Sequence, residues 1–346
     1  MRSLHKRTQR ESNPFPYTDS NKRYYTYDYY MKQKFGGKCV RIPLDAGFSC
    51  PNIDGRCGTG GCIYCSPRGS GDFAQLSSLS ISEQFAKTRA ILSNKWDTTR
   101  CIAYFQAHTN TYAPVPLLRQ KYEEALAQPG VVGMSIATRA DCLPEDVLAL
   151  LSDISERTAL TVELGLQSSD DRTAERIHRG HRYAAFCDGY TALRTHCQRG
   201  RICVHLIFGL PGESREEMLR SVRDVALLMP DEVKLHLLHV LRGTALAGIY
   251  EAGGYIPMER QDYIDTVTDA LTLLPPTTVI DRLTGDGMAD ALLAPEWSRK
   301  KVSVINDIDK QLYRKNQWQG IYYQNPLYDL SNLSKNESGG STHETI

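Results

Sequence analysis

Six short apolar stretches recur along the chain, and each is followed by a segment patterned as a helix. The stretches Cys39–Asp45, Cys101–Gln106, Val131–Thr138, Leu160–Leu166, Ile202–Phe208 and Val233–Leu238 are β-branched or continuously apolar. That is the pattern of strands covered on both faces. Helical spacing runs over Ser82–Leu92, Pro116–Ala127, Pro144–Ser152 and Glu213–Leu228. Ser80 or Ser82 suits the first as a cap, and proline or acidic residues open the others, as helix starts prefer. Strand then helix, repeated six times, predicts an α/β fold with a parallel sheet and right-handed crossovers. Periodicity does not choose between an open sheet and a partly closed barrel, and no close internal repeat is present. Pro275–Pro276 breaks the pattern. The expected organisation is a flexible basic tail over 1–22, a core over 23–275, a C-terminal extension over 276–332 and a polar disordered tail over 333–346.

Composition narrows the picture little. The chain has 346 residues, 41% of them hydrophobic, enough for one large core or two modest ones. Lys+Arg number 41 against Asp+Glu 40, a net charge of +1. That balance argues against a general nucleic-acid coat protein and leaves room for a local basic patch. No apolar run approaches the roughly 18 residues of a membrane span. Met1–Arg10 is basic and polar, unlike a secretory signal, so a cytoplasmic setting without membrane association is expected. The ten cysteines then point away from a disulfide framework.

The chemistry gathers after the first strand, in FSCPNIDGRCGTGGCIYCSPRGSGDF. Cys62 and Cys65 form a CxxC, Cys50 stands at the start of the loop with eleven residues between it and Cys62, and Cys57 falls within that interval. Glycines throughout this loop let backbone amides approach a bound group. Three readings compete. A structural zinc site needs four closed ligands, with Cys57 or Cys39 completing the set. A thioredoxin-like redox pair needs CxxC at a helix start. An iron–sulfur cluster on three thiolates leaves one iron open for chemistry. CxxC alone favours zinc; Cys50, Cys62 and Cys65 together, directly after the first strand of a βα series, favour the third.

The cluster loop LDAGFSCPNIDGRCGTGGCIYCS resembles that of radical S-adenosylmethionine (SAM) enzymes of the YhcC/YtqA (MnmL-type) group, related to the radical SAM domain of the Elongator catalytic subunit. RGSGDF, YFQAHTNTYAP, SIATRADCLP, ELGLQS, HRGH, HLIFGLPGE, KLHLLHVLRGT and DRLTGDG match in order, from about Tyr24 to Tyr323. The resemblance implies a partial (β/α)6 TIM-type barrel with a small C-terminal extension. It implies a [4Fe–4S] cluster on Cys50, Cys62 and Cys65, with SAM on the open iron as source of a 5′-deoxyadenosyl radical. By the same resemblance Tyr64 sets its backbone against adenine, Glu163 and Gln167 face SAM or its ribose, and Arg179 reaches the SAM carboxylate. Arg139 faces the pocket. Gln106–Ala107–His108 stands where the family carries a glycine-rich amine-binding motif, and the GGE form is absent. His205 stands where related barrels carry a ribose-binding aspartate, and the GLPGE turn is expected to line the adenine pocket. Cys57 departs from the pattern.

Plainer readings accompany these. Glu163 and Gln167 can satisfy backbone groups at strand ends, and Arg139–Asp141 can be a surface ion pair of little worth. His236 and His239, three apart on a strand, point to opposite faces and do not share a metal. Cys101, Cys142, Cys187, Cys197 and Cys203 lack cluster spacing and read as small packed hydrophobes.

The substrate comes from resemblance alone: the C5 side chain of the tRNA wobble uridine, taken from carboxymethylaminomethyl- to aminomethyl-uridine. A one-electron donor such as flavodoxin is implied. Arg2, Lys6, Arg7, Arg10, Arg299, Lys300 and Lys301 are candidate tRNA contacts, or solvated charges. Tyr24, Tyr25, Tyr27, Tyr29 and Tyr30 stack on an unpaired base or cover the barrel's end, the second being favoured. Asp281, Arg282 and Asp286 belong to a group-specific segment that shapes the substrate entrance. The rivals are a radical SAM enzyme acting on a small molecule or tetrapyrrole, and a zinc-stabilised binding module.

Overall fold

The computed structural model describes residues 13–285, 287 and 290–324. Six strands fall where the apolar runs place them: β1 (Val40–Leu44), β2 (Cys101–Phe105), β3 (Val131–Thr138), β4 (Ala159–Gln167), β5 (Arg201–Phe208) and β6 (Glu232–Leu237). Two further pieces, β7 (Val240–Leu241) and β9 (Leu292–Ala294), form a small antiparallel pair. Between them β8 (Val279–Arg282) extends the main sheet, whose order is β1-β2-β3-β4-β5-β6-β8 and whose pairings are all parallel. The sheet curls into a half-barrel of the expected α/β type.

The helices are α1 (Tyr27–Phe35), α2 (Ile81–Ser93), α3 (Val115–Leu126), α4 (Glu145–Arg157), α5 (Asp171–Arg176), α6 (Tyr183–His196), α7 (Arg215–Leu227), α8 (Ala245–Glu251), α9 (Arg260–Leu273) and α10 (Lys301–Arg314). Ser80 caps α2 and closes a capping box with Glu83; Ser214 and Glu217 do the same for α7. Among the described residues no helix is long and apolar enough to cross a membrane.

Alternation along the strands sorts the two faces of the sheet. Ile42, Leu44, Phe105, Val162, Leu164, Val204, Val233 and Leu235 are buried in the main core with helix residues such as Phe85, Tyr122 and Ile154. Arg41, Tyr104, Glu163, His205 and Lys234 alternate with these positions and meet one another on the concave side. A closed barrel fills its interior with branched apolar side chains; this one keeps a polar interior.

The edges of the half-barrel are tied together. Arg41 of β1 grips Asp281 of β8 bidentately, at 2.9 and 2.8 Å. Just outside, Thr26 bridges to Ile280, whose amide donates to the Tyr25 carbonyl at 2.7 Å. The tyrosine run covers the N-terminal end of the barrel: the Tyr27 ring lies 4.3 Å from the Arg41 guanidinium carbon and the Tyr30 ring 4.1 Å from that of Arg201. Of the expected basic tail, the described residues 13–22 are anchored at two points, Phe15, which is buried, and Lys22, which pairs with Asp309. Arg2, Lys6, Arg7, Arg10, Asp286 and the segment 325–346 lie outside the described residues.

Candidate active site

The loop after β1 is anchored before it reaches the first cysteine. Gln84 of α2 accepts from the Asp45 amide at 2.8 Å and donates to the Asp45 carbonyl at 2.8 Å. The Cys50 carbonyl then accepts from the Ile53 and Asp54 amides, and the Cys65 amide donates to the Cys62 carbonyl at 3.0 Å. Buried Asn52 donates to the Cys62 sulfur at 3.5 Å and to the His178 carbonyl at 2.6 Å, fixing the loop to the segment after α5.

Cys50, Cys62 and Cys65 line a common cavity of about 250 Å³. A hydrogen bond shared with Cys65 draws the Cys62 thiol down to about 5 against the cost of burial, with the Arg179 charge helping; the same bond pushes Cys65 up. One thiolate is thus favoured before any metal arrives. Cys57 is exposed, with its sulfur 3.9 Å from Asp141, and Cys39 precedes β1 at the other end of the barrel; neither lines the cavity. Three thiols on one cavity, with no fourth cysteine among its described lining, suit a cluster with one open iron better than a closed zinc site.

The other seven site residues expected from the sequence, Tyr64, Gln106, Arg139, Glu163, Gln167, Arg179 and His205, line this same cavity. Their partners differ. Gln167 ends β4 at φ +79° and its buried Oε1 has no protein partner. His108, not singled out by itself beforehand, also lines the cavity, at φ +56° with an unpartnered Nδ1. It fits only because residue 69 is glycine: a Cβ there would stand 2.2 Å from that nitrogen. Arg179 binds the Gly165 carbonyl through one amino group and leaves its buried Nε unpartnered. Non-glycine residues at positive φ and orphaned buried polar atoms are both uncommon, and together they mark a place built for a ligand.

Arg139 is used differently. It is buried, not superficial: it forks onto Asp141 at 2.9 and 2.7 Å and donates to the Arg179 carbonyl at 2.9 Å. Its described contacts therefore position Arg179. The GLPGE turn does not contribute to the cavity lining; Ile207 of β5 does. Glu213 of that turn accepts from Ser168 instead, at 2.5 Å.

Burial pushes the Glu213 carboxyl up to about 8, with Ser168 opposing and the Glu217 and Asp170 charges adding to it. A group whose folded value lies above its unfolded one loses its stabilising contribution as pH rises through the interval. Glu213→Gln is therefore expected to unfold at a higher denaturant midpoint than wild type at pH 8.5, by about 1–2 kcal/mol, with the advantage shrinking or reversing at pH 5.5. Equal midpoints at pH 8.5 contradict this account.

The floor of the cavity is an ion network that the sequence did not announce. Glu163, fully buried, pairs with Lys234, accepts from Tyr104 at 2.9 Å and meets His205 Nε2 at 3.0 Å. Lys234 also lies 3.3 Å from Asp281, and Arg41 3.6 Å from Glu163. Two cations thus meet two carboxylates, the condition for keeping buried charges. Burial alone raises a carboxyl; Lys234, His205 and Arg41 overcome it and hold Glu163 well below the usual range. Burial, then Lys234, depresses His205 and favours the neutral imidazole. Cys203, Glu232 and Asp281 approach within 4.8 Å, but Arg201, Arg41 and Lys234 already neutralise the two acids.

His236 and His239 share the cavity instead of facing opposite sides. The strand ends at Leu237, two residues before His239, so strand alternation no longer governs His239. A larger open groove of about 720 Å³ includes Arg56, Tyr112, Asp141 and Asp188; none of its described lining side chains carries an orphaned buried polar atom.

Comparison with known proteins agrees with this geometry. A family model described as the radical SAM superfamily matches residues 53–225, and one described as the radical SAM C-terminal domain matches residues 230–314. The chain is 44% identical over 314 residues to the protein YtqA of Bacillus subtilis, covering 91% of this chain and 97% of that one. It is 31% identical over 163 residues to a tRNA uridine(34) acetyltransferase of Dehalococcoides mccartyi, covering 46% of this chain and 34% of that protein. Among solved structures, the archaeal Methanocaldococcus infernus Elp3 shares the fold at a TM-score of 0.62 and 16% identity, over 81% of this chain and 64% of that one.

Proposed function

The chain belongs to the radical SAM superfamily, and from that membership we propose that it acts on the C5 side chain of the tRNA wobble uridine, converting carboxymethylaminomethyl-uridine to aminomethyl-uridine. The observation that carries the substrate is the likeness to a tRNA uridine(34) acetyltransferase. This chain spans about a third of that relative, so acetyl transfer is not part of the proposal.

Cys50, Cys62 and Cys65 would hold the cluster at the mouth of the half-barrel. When bound, the [4Fe–4S] cluster and SAM supply a 5′-deoxyadenosyl radical that removes a hydrogen atom from carbon. The orphaned atoms of Gln167 and Arg179 are the donors and acceptors for SAM, with Tyr64 and Gln106 beside them. Arg139 holds Arg179 in place, and Glu163 orients His205 and Tyr104 from beneath. A one-electron donor such as flavodoxin and a cytoplasmic setting belong to the same proposal. Arg299, Lys300 and Lys301 are exposed near the start of α10 and remain candidate phosphate contacts.

The test is mass spectrometry of wobble nucleosides in total tRNA from cells lacking the protein. Accumulated carboxymethylaminomethyl-uridine, cleared by wild type but not by Cys62→Ala, is the expected result. An unchanged profile in a host that makes the modification overturns the tRNA reading and returns the search to small molecules.

A further inference from the structure

Among the described residues, four histidines line the cavity: His108, His205, His236 and His239. Three of them hold an unpartnered ring nitrogen that is buried, Nδ1 of His108 and Nε2 of His236 and His239. His205 differs. Its Nε2 lies 3.0 Å from Glu163 Oε2, while its Nδ1 makes no hydrogen bond to a described residue and stays accessible, on a side chain 15% exposed. The strands put it there: His205 of β5 stands in register between Gly165 of β4 and Lys234 of β6. Glu163 is two residues before Gly165, on the same face, so carboxylate and imidazole meet across the strand pair.

The groups around His205 set its tautomer. They are Glu163 of β4, Lys234 and His236 of β6, Asp281 of β8 and, through Glu163, Tyr104 of β2. Burial raises the Glu163 carboxyl, and Lys234 and Arg41 outweigh it, so Glu163 is ionised and can only accept. Burial, then Lys234, lowers His205 against the pull of Glu163, which leaves the ring neutral at pH 7. A neutral ring that donates Nε2–H to Glu163 carries its lone pair on Nδ1. The same carboxylate stabilises the imidazolium formed once a proton is taken.

We propose that His205 is a catalytic general base whose Nδ1 takes a proton from the substrate's side-chain ammonium as the neighbouring carbon is oxidised, so that the C–N bond is cleaved with glyoxylate as second product. It rests on the wobble-uridine reading for that amine. The carbon between the amine and the carboxylate loses a hydrogen atom to the 5′-deoxyadenosyl radical, giving 5′-deoxyadenosine. The ammonium proton passes to Nδ1, one electron returns to the oxidised cluster, and a C=N bond forms. Water adds to that carbon: its oxygen becomes the aldehyde oxygen, its two protons go to the nitrogen, and the C–N electrons stay with nitrogen. Aminomethyl-uridine and glyoxylate leave, the proton on His205 passes to solvent, and no net reductant is consumed.

The test is single-turnover reaction of the anaerobic, cluster-loaded protein with SAM, a reductant and tRNA carrying carboxymethylaminomethyl-uridine. Wild type is expected to give aminomethyl-uridine, 5′-deoxyadenosine and hydrazine-trapped glyoxylate in equal amounts. His205→Gln keeps a donor for Glu163 but supplies no base. It is expected to form aminomethyl-uridine about 100-fold more slowly at pH 7, with the deficit shrinking as pH rises and the amine deprotonates unaided. The wild-type rate is expected to hold level down to about pH 6.5 and to fall below it as Nδ1 is protonated. His205→Ala is expected to regain rate with added imidazole, which a merely structural role does not allow. Iron content and thermal midpoint report on folding, and the wild-type glyoxylate yield needs no variant. A His205→Gln rate within twofold of wild type at pH 7 overturns the assignment, as does a His205→Ala deficit that imidazole and alkaline pH leave unchanged. Aminomethyl-uridine formed by wild type without glyoxylate overturns the cleavage chemistry and leaves the wobble-uridine reading standing. No turnover of that tRNA by wild type overturns the reading and the inference together.

Discussion

Cys62→Ala is expected to strip the protein of its iron and to reduce SAM cleavage to background. Cys62 is the most constrained of the three thiols: buried, bonded to Cys65 and held by Asn52 at 3.5 Å. It is also the one whose thiolate the surroundings favour, through Cys65 first and then Arg179. Alanine removes a ligand that no neighbour replaces, since exposed Cys57 faces Asp141. Iron and acid-labile sulfide should fall below about a tenth of the wild-type load, and 5′-deoxyadenosine should not form under reducing conditions. Cys57→Ala, made in parallel, should keep both. A full iron load with cleavage retained in Cys62→Ala contradicts the placement of the cluster.

Lys234→Met is expected to lower stability by about 3–5 kcal/mol at pH 7, the usual cost of removing one partner of a buried charge pair. Methionine fills much of the volume, so the loss is electrostatic: Glu163 and Asp281 are left to share Arg41. Burial works against the Lys234 charge, but Asp281 and Glu163 hold it well above its usual range, so it is charged throughout the accessible range. Chemical denaturation of wild type and variant at matched iron load measures the difference. The sign of its pH dependence is fixed. Glu163 and Asp281 are both depressed in the folded protein. Their contribution is therefore complete above their unfolded values and is lost as pH falls through the folded ones. The gap between wild type and Lys234→Met should narrow below about pH 4. Adding Glu163→Gln to Lys234→Met should recover part of the loss at pH 7. A variant within about 1 kcal/mol of wild type at that pH overturns the account of the floor.

The six core strands were legible because each is a short, largely apolar run, and Val131–Thr138 was placed to the residue. The seventh was not. Val279–Arg282 is four residues long, lies just after two prolines and ends on charges, so it was left within the C-terminal extension without a strand of its own. The three cysteines that line one cavity were singled out by their spacing, and the cavity wall by its likeness to a family. The floor was hidden for a different reason. Its partners stand far apart in the chain, 240 residues in the case of Arg41 and Asp281. The one local trace was a charge inside an otherwise apolar strand, as in VRIPL, EVKLHL and VIDR. His239 was misplaced because alternation was carried past the end of its strand.

The clasp between Arg41 and Asp281 also sets an order of events on the ribosome. Every cysteine of the cluster loop and every strand of the six-strand core is synthesised before residue 281. Until that residue emerges, Arg41 and Lys234 face Glu163 alone, two cations to one anion. The nascent barrel is left with an unbalanced interior and an unlatched seam. The seventh strand is therefore the one that completes it, and a chain arrested before Val279 carries the three cavity cysteines on a scaffold that has not locked.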